Sequence, residues 1–233
     1  MIMRISLTKY GWPQVFVFPV ILLAVMIFFP PTVSALGGLP LWAVLLVEVI
    51  LASVCILILA FFRDPYRKPP SDTNLLLAPA DGRITDIEIV DEDNFIGGPA
   101  LRVGIFLSIF STHINRAPCN VKVEKITYRK GQYRNAANLQ SGRVNESNNL
   151  DLVRTDGPQQ RLIVRQISGA IARRIVCNAS EGQVLTGGEK FGMIKFGSRT
   201  ELYVPSGDNA KCLVRIGDKV KAGLTPLVRY EDV

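Results

Sequence analysis

The first sixty residues constrain the fold most, because they carry almost no charge. Between Trp12 and Phe62 the single charged side chain is Glu48. Two apolar runs fill this region: residues 12–29, which end at a Pro-Pro pair, and residues 40–62, which follow a Gly-Gly pair. A helix needs about 20 apolar residues to cross a bilayer, and hydrocarbon requires a backbone that satisfies its own hydrogen bonds. Residues 1–62 are therefore predicted to form a two-helix membrane anchor.

Positive charges around the two runs predict the orientation of this hairpin. The flanking cations are Arg4, Lys9, Arg63, Arg67 and Lys68, whereas the connecting residues 30–40 carry no charge. Lysine and arginine concentrate on the cytoplasmic side of a membrane. We expect a cell-membrane protein with both ends of the hairpin, and the domain that follows, on the cytoplasmic side. Insertion into one leaflet is the alternative.

The charge and the cysteines limit the possible partners. The formal net charge is +7, most of it beyond residue 62, which suits contact with an anionic membrane surface. Nucleic acid is not an expected partner, because no recognition motif or basic-aromatic stripe is present. The four cysteines form no CxxC pair and the chain has one histidine, so no metal site is expected and the thiols should be reduced.

The rest of the chain has the pattern of a β domain behind a short linker. Residues 63–74 contain Pro69 and Pro70 and no apolar periodicity, so they are predicted to be a linker. Residues 75–233 alternate apolar and polar positions in short runs separated by turn residues, and the Asn-rich residues 135–149 are predicted to be a loop. The turns at 78–82 and 217–223 are similar to those of lipoyl-type domains. The predicted fold class is a membrane helical hairpin followed by a mainly β, lipoyl- or barrel-sandwich-like domain.

Four spaced motifs carry a family resemblance. They are Ala78-Pro79-Ala80-Asp81-Gly82, Ser111-Thr112-His113-Ile114-Asn115-Arg116-Ala117-Pro118, residues 166–177, and Phe196-Gly197-Ser198-Arg199. Their order resembles that of phosphatidylserine decarboxylases of the short proenzyme form, over about residues 61–228. The apolar runs before them match that family in kind only.

The resemblance implies a self-cleaving enzyme. The proenzyme would cut itself between Gly197 and Ser198 into a large chain, 1–197, and a small chain, 198–233, which remain associated. Ser198 would become a covalent pyruvoyl group, which is the cofactor and electron sink for converting phosphatidylserine into phosphatidylethanolamine. This reaction belongs to phospholipid biosynthesis.

Further site residues follow from the same motifs. His113 is the expected general base, and Asp81 is expected to orient it, although Asp-Gly is also an ordinary turn. Longer family members carry a second histidine where this chain has Arg116, so His113 either serves both cleavage and decarboxylation or shares them with another group. Arg116 and Arg199 are candidates for binding phosphate or carboxylate, and both are equally consistent with surface charges.

Three other functions fit parts of the pattern. A membrane anchor followed by a lipoyl-like domain also describes non-enzymatic transport adaptors, although these usually contain long helical heptads and face away from the cytoplasm. Pyruvoyl chemistry also serves decarboxylases of small amino acids. The same chemistry on a serine lipid with ether-linked chains is the third alternative.

Overall fold

The computed structural model describes residues 5–12, 14–136, 138, 141–157, 160–170, 174–195, 197–207 and 209–230. The chain divides into two compact units, Met1–Tyr66 and Arg67–Val233. The first is built around two long helices and the second is mainly β-structure. The predicted fold class, two apolar helices followed by a mainly β, barrel-sandwich-like domain, is confirmed.

Two apolar helices dominate the first unit. Helix α1 spans Gln14–Ala35 and α2 spans Leu41–Phe61, with 22 and 21 residues. At about 1.5 Å per residue each is long enough to match a hydrocarbon core of about 30 Å, and both are apolar enough to cross one. Large side chains such as Phe28 and Trp42 are about two-thirds exposed. Such a surface is unfavourable in water and suits an apolar environment.

Helix α1 extends beyond its predicted end. The Pro30-Pro31 pair lies inside the helix, which continues to Ala35. Pro30 and Pro31 have no backbone N–H, so the carbonyl oxygens of Met26 and Ile27 lose their helical donors. The Thr32 hydroxyl donates to the next carbonyl oxygen, that of Phe28 (2.7 Å). Helix-breaking residues are tolerated in helices of this apolar kind. The prolines therefore precede the end by one turn instead of forming it.

The residues expected to be a linker are partly ordered. Strand β2 (Arg63–Pro65) pairs antiparallel with β1 (Ile5–Leu7), and a short 3-10 helix at Lys9–Gly11 follows β1. In a two-stranded ribbon each strand has an edge that makes no ladder bonds, so a proline at the end of β2 is tolerated. In the second unit, Arg67 binds Asp81.

The second unit is built on one large antiparallel sheet and two small ones. Its elements are β3 (Leu75–Leu77), β4 (Gly82–Glu92), β5 (Gly98–Leu107), β6 (Ile114–Arg116), β7 (Val121–Arg129), α3 (Ser141–Val144), β8 (Ser147–Arg154), β9 (Arg161–Ile167), β10 (Ile175–Cys177), β11 (Val184–Leu185), β12 (Lys190–Ile194), β13 (Ser198–Pro205), β14 (Ala210–Cys212), β15 (Lys219–Val220) and β16 (Pro226–Tyr230). The large sheet has the order β11-β7-β8-β9-β13-β5-β4-β15. The small sheets have the orders β10-β12-β6 and β14-β16-β3.

The large sheet has two chemically different faces. Its inner face carries Val103, Val164, Leu202 and Val204, which are fully buried against residues of the small sheets such as Phe191. Alternation along β13 places Arg199, Glu201 and Tyr203 on the opposite, outer face. Ser198 and Thr200 belong to the inner face, at the end of the sheet where the apolar core stops.

Candidate active site

Ser198 is the first residue of β13 and lies opposite Leu107 in β5. It is fully buried, and its Oγ has no hydrogen-bond partner among the residues that the structure describes. A buried hydroxyl without a partner is costly, which makes it a candidate reactive group. Phe196, two residues earlier in the motif, lies outside the described residues, as do residues 171–173.

The backbone before Ser198 has a conformation that requires glycine. Gly197 has φ +61°, in the left-handed region, where other residues pay about 1–2 kcal/mol. A Cβ on the neighbouring Gly169 would collide with the carbonyl oxygen of Gly197. Two glycines therefore allow the Gly197–Ser198 peptide to lie tightly against the chain after β9.

His113 is buried at the same end of the sheet. It lies between the end of β5 and β6, and its carbonyl accepts from the Ile194 amide at 3.2 Å. Its Nδ1 is 2.9 Å from the carbonyl oxygen of Ser111. Because a carbonyl only accepts, Nδ1 carries the proton, and Nε2 of the neutral ring is the basic nitrogen. The fold thus places a buried imidazole and a buried hydroxyl at the same end of the sheet.

A chain of buried amides and hydroxyls separates this end from the apolar core. Asn115 Nδ2 donates to Thr200 Oγ1 (3.1 Å), and Gln166 Nε2 donates to Asn115 Oδ1 (2.9 Å). Asn148 Nδ2 donates to Gln166 Oε1 at 3.1 Å. Thr200 lies two residues from Ser198, and Asn115 two residues from His113. The network therefore holds together the segments that carry Ser198 and His113. Asn115 and Gln166 belong to the motifs that carry the family resemblance, but the sequence did not predict this network, because single amides give no periodic signal.

Arg199 lies on the outer face, away from Ser198. Its guanidinium is fully buried and donates to Glu201, Thr85 and Asp86. Burial by itself would lower the pKa of Arg199, but the charges of Glu201 and Asp86 raise it overall. Burial, followed by the charge of Glu201, raises the pKa of Tyr203 to about 12. These contacts make Arg199 part of a structural ion cluster.

Asp81 ends the turn before β4 and lies close to the same end of the sheet. Arg83 and Arg199 both lie opposite Phe106, so they are two strands apart, or about 10 Å. The Asp81 carboxylate accepts from the Arg67 guanidinium through both oxygens, and Oδ1 also accepts from the Ala222 amide (2.8 Å). A carboxylate has about four acceptor positions, so these three bonds leave one on Oδ2.

Two further cations lie near the site. Arg116 is buried, and its guanidinium donates to the Gly188 carbonyl (2.9 Å); alternation along β6 puts it on the side opposite Asn115. Lys195 is buried three residues before Ser198, and burial together with the Arg174 charge lowers its pKa. Lys195 was not predicted. A single lysine in a mixed sequence cannot be distinguished from a surface charge.

Comparison with known proteins identifies the family. A family model described as phosphatidylserine decarboxylase matches residues 55–227. A phosphatidylserine decarboxylase proenzyme of Gluconacetobacter diazotrophicus is 45% identical over 174 residues, 73% of this chain and 76% of the relative. One of Symbiobacterium thermophilum is 40% identical over 226 residues, 97% of this chain and 96% of the relative. The chain therefore belongs to the phosphatidylserine decarboxylase family.

Proposed function

We propose that this protein converts phosphatidylserine into phosphatidylethanolamine with a pyruvoyl group made from Ser198 by self-cleavage after Gly197. The observation that carries the proposal is the buried Ser198 hydroxyl, which has no hydrogen-bond partner among the described residues and follows a left-handed glycine. The similar proteins are named proenzymes, which supports processing.

The proposed cleavage uses groups of this chain alone. Ser198 Oγ attacks the carbonyl carbon of Gly197 while His113 Nε2 takes the hydroxyl proton. The peptide C–N bond breaks, the Ser198 nitrogen gains a proton, and an ester joins the two residues. Loss of the Ser198 α-proton and of the Gly197 carboxylate then leaves a dehydroalanine at the start of 198–233. Water hydrolyses it, which releases ammonia and leaves the pyruvoyl group.

Asp81 is proposed to support His113 through its negative charge, which would favour the imidazolium that forms when Nε2 takes the Ser198 proton, because the Nδ1 proton is already donated to the Ser111 carbonyl oxygen. The bonds from Arg67 and Ala222 would hold the carboxylate in a fixed orientation, which a positioning group needs. Arg67 thereby becomes part of the proposed site. An Arg67→Lys variant keeps the charge but loses the bidentate contact with the Asp81 carboxylate, so it should slow cleavage less than Asp81→Asn does.

The chemistry after cleavage depends on the new group and on cations around it. When present, the pyruvoyl group supplies a carbonyl that binds the substrate amine and withdraws the electrons left by loss of CO₂. Lys195 is proposed to attract the anionic headgroup, since it lies three residues before Ser198. Arg116 is proposed for the same role because of its position in the motif that contains His113. Arg199 is assigned to structure, because its donors are engaged by Glu201, Thr85 and Asp86.

The membrane attachment is proposed from the first unit. Helices α1 and α2 would cross the cell membrane, with the second unit on the cytoplasmic side against anionic lipid. Deletion of residues 1–62 should release the protein from strong membrane attachment and leave self-cleavage intact, with residual salt-sensitive binding to anionic vesicles. Loss of cleavage in a truncated protein whose circular dichroism spectrum shows folded β-structure would show that the hairpin contributes to the site.

Intact-mass analysis of the purified protein tests the central proposal. Two chains, 1–197 and 198–233, are expected, and the small chain should carry a pyruvoyl cap that blocks Edman degradation. A single chain would favour the adaptor alternative, and a free amino-terminal serine would indicate simple hydrolysis. Assays with phosphatidylserine, its ether-linked analogue and free amino acids then distinguish the three substrate classes.

A further inference from the structure

The turn between β5 and His113 has an unusual composition. The Ser111 amide donates to the Ser108 carbonyl (2.9 Å), which closes a tight turn, and the two serine hydroxyls are 3.2 Å apart. The tip consists of Ile109, 48% exposed, and Phe110, 70% exposed. Turn tips usually carry glycine, proline, asparagine or aspartate. Two large apolar side chains exposed together at a tip therefore indicate a contact with an apolar surface.

The position of this turn connects it to the candidate active site. It begins one residue after Leu107, which lies opposite Ser198. It ends at Ser111, whose carbonyl oxygen holds His113 Nδ1. The apolar tip thus projects from the end of the sheet at which both proposed catalytic groups lie. Ile89, by contrast, is exposed but lies opposite Leu101, far from this end.

Cations lie beside the turn on the neighbouring strands. Arg83 in β4 lies opposite Phe106, two residues before the turn, and pairs with Lys219 in β15. Both side chains are exposed. Apolar residues flanked by lysine and arginine are typical of segments that enter the interface of an anionic bilayer. Contact with a protein partner would not require apolar residues and cations side by side.

We propose that the Ile109–Phe110 tip inserts into the membrane interface and holds the active-site opening at the level of the lipid headgroups. This inference rests on the proposed function and refines it: the substrate is taken from the bilayer surface instead of as a dispersed monomer. In this proposal the apolar tip contacts the bilayer. Contact with a second protein is the alternative, and the experiment must distinguish the two.

Depth-dependent fluorescence quenching tests the contact independently of catalysis. The full chain with Trp12→Phe, Trp42→Phe and Phe110→Trp is reconstituted into phosphatidylcholine–phosphatidylglycerol vesicles that contain lipids brominated near the headgroup. The indole at 110 should be quenched. An Ile89→Trp control in the same background should not be, because Ile89 lies opposite Leu101, about 20 Å along the strand from Leu107. Equal quenching at the two positions, or blue-shifted emission at 110 without quenching, would overturn the proposal.

Activity on two forms of substrate gives the functional test. The Ile109→Ser/Phe110→Ser variant should self-cleave normally and keep its kcat/KM on short-chain phosphatidylserine in detergent. On vesicles its kcat/KM should fall about tenfold, since much apolar area no longer enters the interface. Ile89→Ser is the matched control and should keep both activities. An equal loss in detergent and vesicles would contradict the proposal. If the wild-type chain decarboxylates nothing, the proposed function fails, while the quenching result still decides the membrane contact.

Discussion

Ser198 and Arg199 are neighbours in sequence and occupy opposite environments. On the inner face, the Ser198 hydroxyl has no hydrogen-bond partner among the described residues. On the outer face, the Arg199 guanidinium is equally buried but makes bonds to Glu201, Thr85 and Asp86. Both side chains are fully buried, so burial alone does not distinguish the proposed reactive group from the residue assigned to structure. The difference between them lies in their hydrogen bonds.

We infer that the inner face of the large sheet carries the residues proposed for cleavage, whereas the outer face stabilises the fold. A strand turns successive side chains to opposite faces, so β13 can hold a reactive residue and its anchor side by side. Ion pairs on the outer face hold the strand at Arg199, and the neighbouring Ser198 hydroxyl has no partner among the residues that the structure describes. Substitution of Ser198 or His113, at the polar end of the inner face, should therefore impair cleavage and keep the fold, whereas substitution in the outer ion cluster should lower stability more than it affects cleavage.

The largest effect is expected for Ser198→Ala. Without the hydroxyl no ester can form, so the protein should remain one chain of 233 residues on a denaturing gel and lack decarboxylase activity. Its circular dichroism spectrum should match that of the wild type, because the lost group makes no hydrogen bond among the described residues. Ser198→Cys keeps a nucleophile and serves as the matched variant, with slow cleavage expected. Normal cleavage of the alanine variant would place the cut elsewhere.

Substitution of His113 should slow cleavage by about 10²–10⁴-fold, the usual contribution of a positioned proton acceptor. His113→Asn is the more informative variant. Its amide N–H can replace Nδ1 in the bond to the Ser111 carbonyl, but it offers no basic nitrogen in place of Nε2. The cleavage rate, followed by gel densitometry after synthesis, should be low in both the asparagine and the alanine variant. Rescue by asparagine would reduce His113 to a positioning residue.

Arg199→Ala tests the outer face and should affect stability more than chemistry. Removing one partner of a buried ion cluster leaves Asp86 and Glu201 without their main cation, which costs about 3–5 kcal/mol. Arg229→Ala is the control: Arg229 pairs with Asp72 at 3.1 Å, both side chains are nearly half exposed, and about 0–1 kcal/mol is expected. Thermal unfolding measures both. A stable but uncut Arg199→Ala protein would give Arg199 a role in cleavage.

The sequence predicted the elements that depend on periodicity. The apolar runs became α1 and α2, and the short alternating runs of residues 75–233 became strands of the second unit. It did not predict β8, because residues 135–149 looked like a polar loop. Strand β8 begins at Ser147, and its inward-facing Asn148 is polar because it bonds to Gln166 instead of packing in the core.

The candidate site was partly predictable for a related reason. Ser198, His113 and Asp81 belong to contiguous motifs, so the sequence indicates them directly. The environment of Arg199 depends on Asp86 and Thr85, more than one hundred residues away, and on a bulge between Ile84 and Asp86. No local pattern carries that pairing. The same holds for Arg67, whose contact with Asp81 gives order to residues expected to be a linker.

The smallest predicted effect is that of Thr200→Val on the inner face. This nearly isosteric change removes the hydroxyl that accepts from Asn115 Nδ2, and a buried hydrogen bond is worth about 1 kcal/mol. Because Thr200 is two residues from Ser198 and Asn115 two from His113, the loss should loosen the alignment of the two groups. Cleavage should slow severalfold while the melting temperature falls only slightly.

Leu202→Ala, at the next inward-facing position of β13, is the control: its cavity costs about 2–5 kcal/mol, but the folded fraction should cleave at the normal rate. If Thr200→Val lowers stability and leaves the cleavage rate unchanged, the inner polar network serves the fold alone.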